Sequence, residues 1–433
     1  RRVLFRSNTM WALAGQGIAV IVGLVETFIL ARFLGLQSFG QFLILLAAVE
    51  LVFGLLDCKS GEAVIRFLPE LRRELGPSSE SAFLRTIICI DALLGCLAVL
   101  LLLLLPTSLG RLLGIPDGYG TPLFAVSVAA AARVSTSCAG SYLRLNDAFS
   151  SSVAIAAVAN VVRLGVLGGL VLADVGVPGL LYGVAGTEFL LALSLGCALV
   201  GSARRRGVLL ERPSPSLPRE YLRRLARFLL HTNLSLTLRV LSKKADILVI
   251  SALSSPAAVA LYKIAWRFAG SLLTVSDPLV TVLYPRISKL HASGDALAVR
   301  KLVGLVSKVL ASLLSVPIIV FVVFGRDILV FALGPDYAES FPAVLIMLVG
   351  FAANAVFCWL RPLMLVHDMT GRILRTGVVA VLIQFSAIIL LVPSLAATGA
   401  AIGVLAYQAT VLLSYYLCLR SSALRLEPRP CAT

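Results

Sequence analysis

The sequence is built from long apolar runs, and this feature restricts the possible folds more than any other. One of them, CLAVLLLLLLP (96–106), contains no charged residue. About 20 such residues are needed to cross the hydrocarbon core of a bilayer, and runs of that length recur along the chain. Hydrophobic residues make up 59% of the chain, charged residues 14%, and the mean hydropathy is +0.97. These values exclude a soluble globular protein and indicate a polytopic membrane protein.

The spans are predicted to be α-helices. Helices and closed β-barrels are the structures that satisfy every backbone polar group in lipid. Strands of a barrel alternate in hydrophobicity over segments of about 10 residues, and the run at 96–106 does not alternate. We therefore predict an all-α polytopic fold with twelve transmembrane helices, near 9–31, 40–57, 82–105, 121–143, 149–172, 179–201, 227–250, 257–283, 302–325, 341–366, 373–393 and 396–419.

A polar, arginine-rich segment, GSARRRGVLLERPSPSLPREYLRRLAR (201–227), divides these spans into two sets of six. The opening peptide RRVLFRS resembles a translated sequencing adapter, and we set it aside as an artefact. Without Arg1, Arg2 and Arg6 the net charge falls from +16 to +13. The predicted organisation is an artefact at 1–7, a six-helix bundle at 8–203, a basic cytoplasmic linker at 204–226, a second six-helix bundle at 227–420 and a cytoplasmic tail at 421–433.

The distribution of basic residues between the loops predicts the orientation. With the N-terminus in the cytoplasm, the cytoplasmic loops hold 23 Lys and Arg, and the outer loops hold only Arg32, Arg111 and Arg326. Such a bias marks the cytoplasmic side, so both termini are predicted to be cytoplasmic. The rule explains the basic loops without a nucleic-acid partner. The outer loops, at most about 15 residues long by the same hydropathy reading, leave no room for a folded catalytic domain.

Charged residues inside the predicted spans are the main functional signal. The stretch LRVLSKKADILVI (238–250) carries three cations and a carboxylate, although each charge near the bilayer centre costs roughly 2.5–3.5 kcal/mol. Arg239, Lys243 and Asp246 follow an i, i+4, i+7 spacing and share one helix face, whereas Lys244 points elsewhere. The next span carries Lys263 and Arg267 at i, i+4.

These charges support two interpretations. One is an interhelical salt-bridge network that only fixes packing. The other is a cationic cavity that attracts an anionic cargo, with phosphate or pyrophosphate favoured because Arg binds it bidentately and Lys as a point charge. By position, Arg133 and Lys263 are expected to snorkel toward the interface. The candidate substrate-binding residues are Arg239, Lys243, Lys263, Arg267, Arg163 and Arg133.

Motifs of enzymes, cofactor sites and metal sites are absent from the sequence. It has no GxxxxGK[ST] loop, no HExxH and no GxSxG. The eight cysteines are scattered without a CxxC pair, and the three histidines are far apart. We therefore predict a protein that is not an enzyme and has no catalytic residues, cofactor or metal.

Three segments resemble a known family. They are NTMWALAGQGIAVIVGLVETFILARFLGLQSFGQF (8–42), KADILVISALSSPAAVALYKIAWRFAG (244–270) and LYPRISKLHASGD (283–295). They are similar to Wzx-type polysaccharide flippases of the multidrug/oligosaccharidyl-lipid/polysaccharide exporter superfamily. The resemblance implies two six-helix bundles around a central cavity, alternating between inward- and outward-facing states in the bacterial inner membrane.

The same resemblance implies the cargo and the partners. The cargo would be an oligosaccharide on undecaprenyl pyrophosphate, moved outward for surface polysaccharide such as O-antigen, with a polymerase or glycosyltransferases as partners. Carboxylates within the spans would couple transport to H⁺ or Na⁺. The candidates for this role are Glu26, Asp246, Glu188 and Asp91.

Four alternatives stay open. A drug/cation antiporter of the same superfamily would need a cavity dominated by acids, and here bases dominate. The lipid II flippase branch usually has fourteen spans. A membrane-embedded polymerase or glycosyltransferase that uses lipid-linked sugars would need a larger outer loop. A structural subunit without transport leaves the interior charges unexplained.

Overall fold

The structure is a computed structural model that describes residues 2–58, 60–76, 78–104, 118–146, 148–208 and 217–423. Within these ranges, only the backbone is described at 2–14, 78, 231–243, 275, 277–278, 281 and 421–423. The described residues are almost entirely α-helical and contain no strand. The predicted all-α polytopic class is confirmed.

The described residues form thirteen α-helices and one short 3₁₀ helix. In chain order they are α1 (Arg2–Leu56), α2 (Ser60–Leu75), α3 (Ser78–Leu104), α4 (Gly120–Leu145), α5 (Phe149–Leu172), α6 (Gly176–Arg205), α7 (Arg219–Leu253), α8 (Pro256–Gly270), α9 (Leu273–Ala292), α10 (Ala296–Leu333), the 3₁₀ helix (Pro335–Ser340), α11 (Phe341–Val356), α12 (Leu360–Val366) and α13 (Thr370–Ala423).

Within the described part of the chain, the predicted spans fall on helical residues, but two of them are not continuous. The span predicted at 257–283 is broken between α8 and α9, and the one at 341–366 is broken between α11 and α12. Hydropathy alone could not locate these breaks, because the residues on both sides of each break are apolar. The predictions for 1, 105 and 424–433 lie outside the described residues.

Helix ends follow from local chemistry. Ser255 caps α8 by accepting a hydrogen bond from the Ala258 N–H at 3.2 Å. Pro256 opens the helix at a position where a backbone N–H would have no intrahelical acceptor, so its missing N–H costs no hydrogen bond. Asp295 caps α10 in the same way, through the Ala298 N–H at 2.9 Å. Gly334 ends α10 with φ 113°, a conformation that glycine adopts without a Cβ clash.

The two longest helices each bend once and so provide two predicted spans each. In α1 the bend is at Gly35, with φ 73° and ψ 168°. In α13 it is at Ala396, with φ 45° and ψ −124°, three residues after Pro393. The chain approaches itself closely there, since a Cβ on Gly399 would lie 2.6 Å from the Leu391 carbonyl. Glycine is therefore required at position 399 for the two halves of α13 to pack.

The helix surfaces match a lipid environment. Eight helical stretches in the described residues are long and apolar enough to cross a membrane. Large apolar side chains point outward from several of them, with Leu104 70%, Leu172 74% and Leu390 75% exposed.

Helix α2 is a correction to the sequence analysis, which treated 57–81 as a loop. Its apolar residues recur on one face, and Val64, Phe67, Leu68 and Leu71 are buried there. The ring of Phe67 packs edge-on against Phe228 of α7 at 5.5 Å. The 3.6-residue apolar period was present in the sequence, but charges on the other face lowered the mean hydropathy of the segment below that of a span.

Residue contacts divide the chain into two compact units, Arg1–Leu248 and Val249–Thr433. The division falls inside α7, after the predicted linker at 204–226. The beginning of α7 belongs to the first unit because it is tied to α2. Arg224 donates to Glu70 at 2.8 Å, and the Tyr221 hydroxyl donates to Glu74.

Candidate functional site

Four charged side chains from four helices meet inside the first unit. Glu26 comes from α1, Arg133 from α4, Arg163 from α5 and Glu188 from α6. All four were candidate functional residues in the sequence analysis. We call these four residues the charge network. The bonded pair Arg163 and Glu26 is 137 positions apart in the sequence, so the fold alone brings the four residues together.

Arg163 is the centre of the charge network. Its Nη1 donates to Glu188 Oε1 at 2.9 Å, and its Nη2 and Nε donate to Glu26 Oε1 at 3.0 and 3.2 Å. The side chains of Arg163, Glu26 and Glu188 are 24%, 15% and 11% exposed. Charge-assisted bonds of this kind are about twice as strong as neutral ones. The Arg163 guanidinium therefore joins the two carboxylates, and with them α1, α5 and α6.

Arg133 sits at the edge of the charge network. Its Nη1 donates to Glu188 Oε1 at 3.0 Å, the same oxygen that Arg163 uses. Its side chain is 54% exposed, so most of its donors face outward. Glu188 Oε2 is buried and has no hydrogen-bond partner among the described residues. One carboxylate oxygen thus serves two arginines, and the exposed part of the Arg133 side chain can meet a further anion.

Lys244 forms a second ion pair in the first unit. Its Nζ contacts Glu50 Oε2, in the second half of α1. The two side chains are 33% and 47% exposed. The sequence analysis placed Lys244 away from the face that carries Asp246, and this contact gives it a partner on a neighbouring helix.

The remaining charges of α7 are described only in part. Asp246 is buried, at 4% exposure, and its Oδ1 accepts a hydrogen bond from the Ile247 N–H at 2.8 Å. Arg239 and Lys243 lie on the helical backbone of α7, but their side chains lie outside the described residues.

Lys263 and Arg267 belong to the second unit. They lie one turn apart on α8 and are both half-buried. The Lys263 ammonium lies 5.3 Å from the centroid of the Trp266 ring, within cation–π range. Trp266 in turn packs edge-on against Phe351 of α11 at 6.0 Å. The aromatic contact orients Lys263 within its unit.

Asp91 lies on α3 and is not part of the charge network. It is 1% exposed, and neither of its carboxylate oxygens has a hydrogen-bond partner among the described residues. Of the four carboxylates proposed for ion coupling, the structure therefore pairs Glu26 and Glu188 with arginine and leaves Asp91 without such a partner.

A buried cluster that the sequence analysis missed ties α2, α3 and α4 together. Arg72 Nε and Nη2 donate to the two carboxylate oxygens of Glu80 at 2.6 and 2.8 Å, a bidentate pair. The Tyr142 hydroxyl donates to Glu80 Oε1 at 2.7 Å, and Glu80 is only 2% exposed. The sequence analysis counted Arg72 as a loop cation. Arg72 lies in the segment whose apolar residues recur at the helical period, and this period was the signal that could have placed Arg72 on a helix.

A histidine pair in the second unit was also missed. The rings of His291 and His367 meet edge-on at 4.6 Å. Burial, and then the proximity of His291, lower the pKa of His367 from its ordinary value of 6.5. A cleft of about 400 Å³ lies beside it, lined by His367, Asp368, Met369, Gly371, Arg372 and Arg375. In the sequence the two histidines are 76 positions apart, so no local motif links them.

Among the residues that the structure describes, no group of three or more His, Cys, Asp or Glu side chains is arranged to hold a metal ion. The charged groups that the fold brings together in the described part of the chain are guanidinium, ammonium and carboxylate groups. Such groups bind ions or anionic molecules and exchange protons.

The profile of one protein family, described as "Polysaccharide biosynthesis protein", matches residues 5–291. No curated protein sequence matches the chain. Solved structures do match it, at low identity. Lipid II flippase MurJ in an inward closed conformation is 12% identical, with a TM-score of 0.75 over 95% of this chain and 87% of that one.

Two further solved structures share the fold. An inward-facing multidrug resistance MATE family transporter of the MOP superfamily has a TM-score of 0.70 at 14% identity, over 95% of this chain and 96% of that one. A MOP superfamily transporter from Pyrococcus furiosus, described as having a binding pocket of reversed polarity, has a TM-score of 0.58 at 13% identity, over 98% and 96%. At these identities the likeness establishes the fold alone.

Proposed function

The chain belongs to the polysaccharide biosynthesis protein family, and on that premise we propose that it is a flippase for lipid-linked oligosaccharide. In this proposal it moves undecaprenyl-pyrophosphate-linked oligosaccharide from the inner to the outer leaflet of a bacterial cytoplasmic membrane. It does so by alternating access, for the assembly of surface polysaccharide. The proposal is supported by the fold it shares with a protein named as a lipid II flippase.

The observation that carries the proposal is the position of Arg133 in the charge network. Its side chain is more than half exposed, and its guanidinium shares its acceptor oxygen with Arg163. A planar guanidinium binds phosphate oxygens bidentately. A pyrophosphate that approaches Arg133 therefore meets open donors, while Arg163 keeps Glu188 paired. The anion binds without leaving a carboxylate uncompensated.

We propose that the other candidate cations bind the same cargo. Arg163 supports Arg133 through Glu188, and Lys263 and Arg267 present two positive charges on one turn of α8. Arg239 and Lys243 complete the proposed set on α7. Several cations suit a cargo with a pyrophosphate and acidic sugars, since each phosphate contact adds a charge-assisted hydrogen bond.

The orientation in the proposal follows the loop charges. The basic loops, including Arg204, Arg205 and Arg206, would face the cytoplasm, and both termini with them. The cargo would then be received from glycosyltransferases on the cytoplasmic side and delivered to a polymerase outside. Transport would be coupled to H⁺ or Na⁺ through one of the carboxylates.

A drug/cation antiporter is the second candidate, because Glu26 and Glu188 place two carboxylates in the charge network. In such a protein the acids would bind the cargo, and the arginines would obstruct it. The two functions predict opposite effects for the same substitution. Neutralising Arg133 weakens a flippase for anions and improves an exporter of cations.

The test is surface glycan export in a host strain from which the gene has been deleted. Arg133→Gln is expected to reduce export at least tenfold when membrane levels are equal. Arg144→Gln is the matched control, because Arg144 is an exposed arginine on the same helix that stacks on Phe149 at 5.8 Å. Export by R133Q equal to that by R144Q would contradict the role of Arg133. Raised drug resistance in R133Q would favour the antiporter.

A further inference from the structure

Asp91 is a buried acid that the charge network does not use. It lies in the interior of the first unit, on α3, with 1% of its surface exposed. Both carboxylate oxygens are inaccessible and make no hydrogen bond within the described residues. Among the described residues, therefore, no donor is in hydrogen-bond geometry to stabilise a negative charge on Asp91.

The groups that face Asp91 come from the three neighbouring segments of the chain. Ser60, at the start of α2, has a buried hydroxyl beside the carboxyl, although the two do not reach hydrogen-bond geometry. Asp57, between α1 and α2, adds a second carboxylate, and the buried Cys138 thiol lies on α4. The described groups that act on Asp91 are thus hydroxyl, thiol and carboxyl, and none is a cation.

Close backbone packing keeps water out at this point. A Cβ added at Gly61, next to Ser60, would lie 2.5 Å from Ser137 Oγ and 2.6 Å from Ser141 Oγ. Helix α2 therefore sits directly on α4 with only a glycine between them. This contact lies next to Ser60, so a change in the α2–α4 packing would open a path for water to the side of Asp91 that Ser60 faces.

Other acids inside the first unit have bonded partners, and the buried Asp246 accepts a hydrogen bond from the Ile247 N–H at 2.8 Å. Glu26 and Glu188 are bonded to Arg163, and Glu80 is bonded to Arg72 and Tyr142. An ionised carboxylate in a low-dielectric interior is stable when it is paired in this way. Without a pair it becomes neutral by taking up a proton.

We propose that Asp91 is the residue that binds the coupling proton, and that it is protonated in this conformation. The proton comes from water and gives a neutral acid whose O–H can turn toward Ser60 Oγ. Release requires that α2 separate from α4, so that water reaches the carboxylate. The inference deepens the proposed flippase function and rests on it, since it assigns coupling to Asp91 rather than to Glu26 or Glu188.

The direct test is infrared spectroscopy of the purified full-length protein in lipid, which detects the carbonyl stretch of a protonated carboxyl group without any cargo. At pH 7 we expect a protonated-carboxyl band that Asp91→Asn removes. Glu26→Gln is the matched control and leaves the band unchanged, because Glu26 is paired with Arg163. If D91N does not yield folded protein, Asp91→Glu is used, and the band should shift rather than disappear.

Two results would overturn the assignment. One is a wild-type spectrum at pH 7 with no band that D91N removes or D91E shifts. The other is a band that disappears when Na⁺ is added at constant pH, which would make Asp91 a sodium ligand instead.

The same variants separate this inference from the proposed function. In proteoliposomes, a pH gradient should accelerate flipping of lipid-linked oligosaccharide by the wild type and leave the rate of D91N unchanged. If the wild type shows the infrared band but moves no lipid-linked oligosaccharide, the proposed flippase function is contradicted, whereas the protonation of Asp91 is still supported. A D91N protein whose flipping still responds to the gradient would contradict the coupling role.

Discussion

Arg163 Nη1 and Glu188 Oε1 lie 2.9 Å apart, and the same oxygen also accepts a hydrogen bond from Arg133 at 3.0 Å. This shared acceptor joins α4, α5 and α6, and Glu26 adds α1. The network contains two positive and two negative side chains, so it is electrically neutral before any cargo binds. Under the proposed function, an anion bound to Arg133 would make the network negative and would favour the uptake of a proton or a cation.

Removing the central arginine should destabilise the first unit. Arg163→Ala leaves Glu26 and Glu188 with little compensation, and removing one partner of a buried ion pair costs about 3 kcal/mol. We expect the Tm in detergent to fall by several degrees. Arg85→Ala, at an exposed position on α3, should leave the Tm within error. Adding Glu188→Gln to R163A should recover part of the loss, and equal Tm values for R163A and R85A would contradict the packing role.

The Lys244–Glu50 pair should behave differently, although it also joins two helices. Its side chains are 33% and 47% exposed, and exposed ion pairs contribute roughly 0–1 kcal/mol. Lys244→Ala should therefore change the unfolding free energy by less than about 1 kcal/mol. Measuring K244A and R163A in the same denaturation assay tests whether the Lys244–Glu50 pair contributes less to stability than Arg163 does. A larger loss in K244A than in R163A would contradict this expectation.

Charge reversal on α7 tests the role of that helix in transport. Arg239→Glu with Lys243→Glu should abolish surface-glycan export and leave membrane insertion intact, because an anionic cargo would then meet two carboxylates. Export is measured by staining of the surface glycan, and insertion by the amount of protein in washed membranes. The same double substitution with normal export would favour a packing role for these charges.

The histidine pair predicts a pH dependence of stability. Burial, and then His291, lower the pKa of His367 below its ordinary value of 6.5. The unfolded chain therefore binds this proton more readily than the folded chain does. The contribution of His367 to stability is complete above pH about 6.5 and is lost as the pH falls toward the lowered pKa.

This pH dependence is measured as the Tm between pH 7.5 and 5.5. The Tm of the wild type should fall over this range, and His367→Gln should make the fall smaller. His291→Gln should have a weaker effect, because it removes only the second of the two causes. An unchanged pH dependence in H367Q would show that His367 does not contribute to it.

The fold could be predicted from the sequence to the extent that it depends on local hydropathy. The predicted spans fall on helices because most of them are long apolar runs. The bend at Gly35 lies in a predicted gap between spans, and the bend at Ala396 lies at the first residue of the last predicted span. Helix α2 was not found, because an amphipathic helix has a low mean hydropathy despite its apolar face. The breaks inside the spans at 257–283 and 341–366 were missed because the residues on both sides of each break are apolar, so the mean hydropathy stays high across it.

The candidate site was predicted as a set of charges, but not as a set of pairs. Intramembrane position identified Arg133, Arg163, Glu26 and Glu188 individually. Their pairing depends on which faces of α1, α4, α5 and α6 meet, and residues 137 positions apart carry no local signal of that contact. Asp91 illustrates the same limit. Like Glu26, it is a carboxylate inside a predicted span, and only the folded structure shows that Glu26 is bonded to Arg163 whereas Asp91 has no such partner among the described residues.

The most direct test of the central claim is translocation of a labelled undecaprenyl-pyrophosphate oligosaccharide by the purified protein in proteoliposomes. The account predicts that the wild type moves this lipid at least tenfold faster than protein-free vesicles do. It also predicts that R133Q loses this activity and that an uncharged lipid-linked analogue of the same glycan is not moved. Equal transport of the charged and uncharged lipids, or export of a cationic drug in place of both, would contradict it.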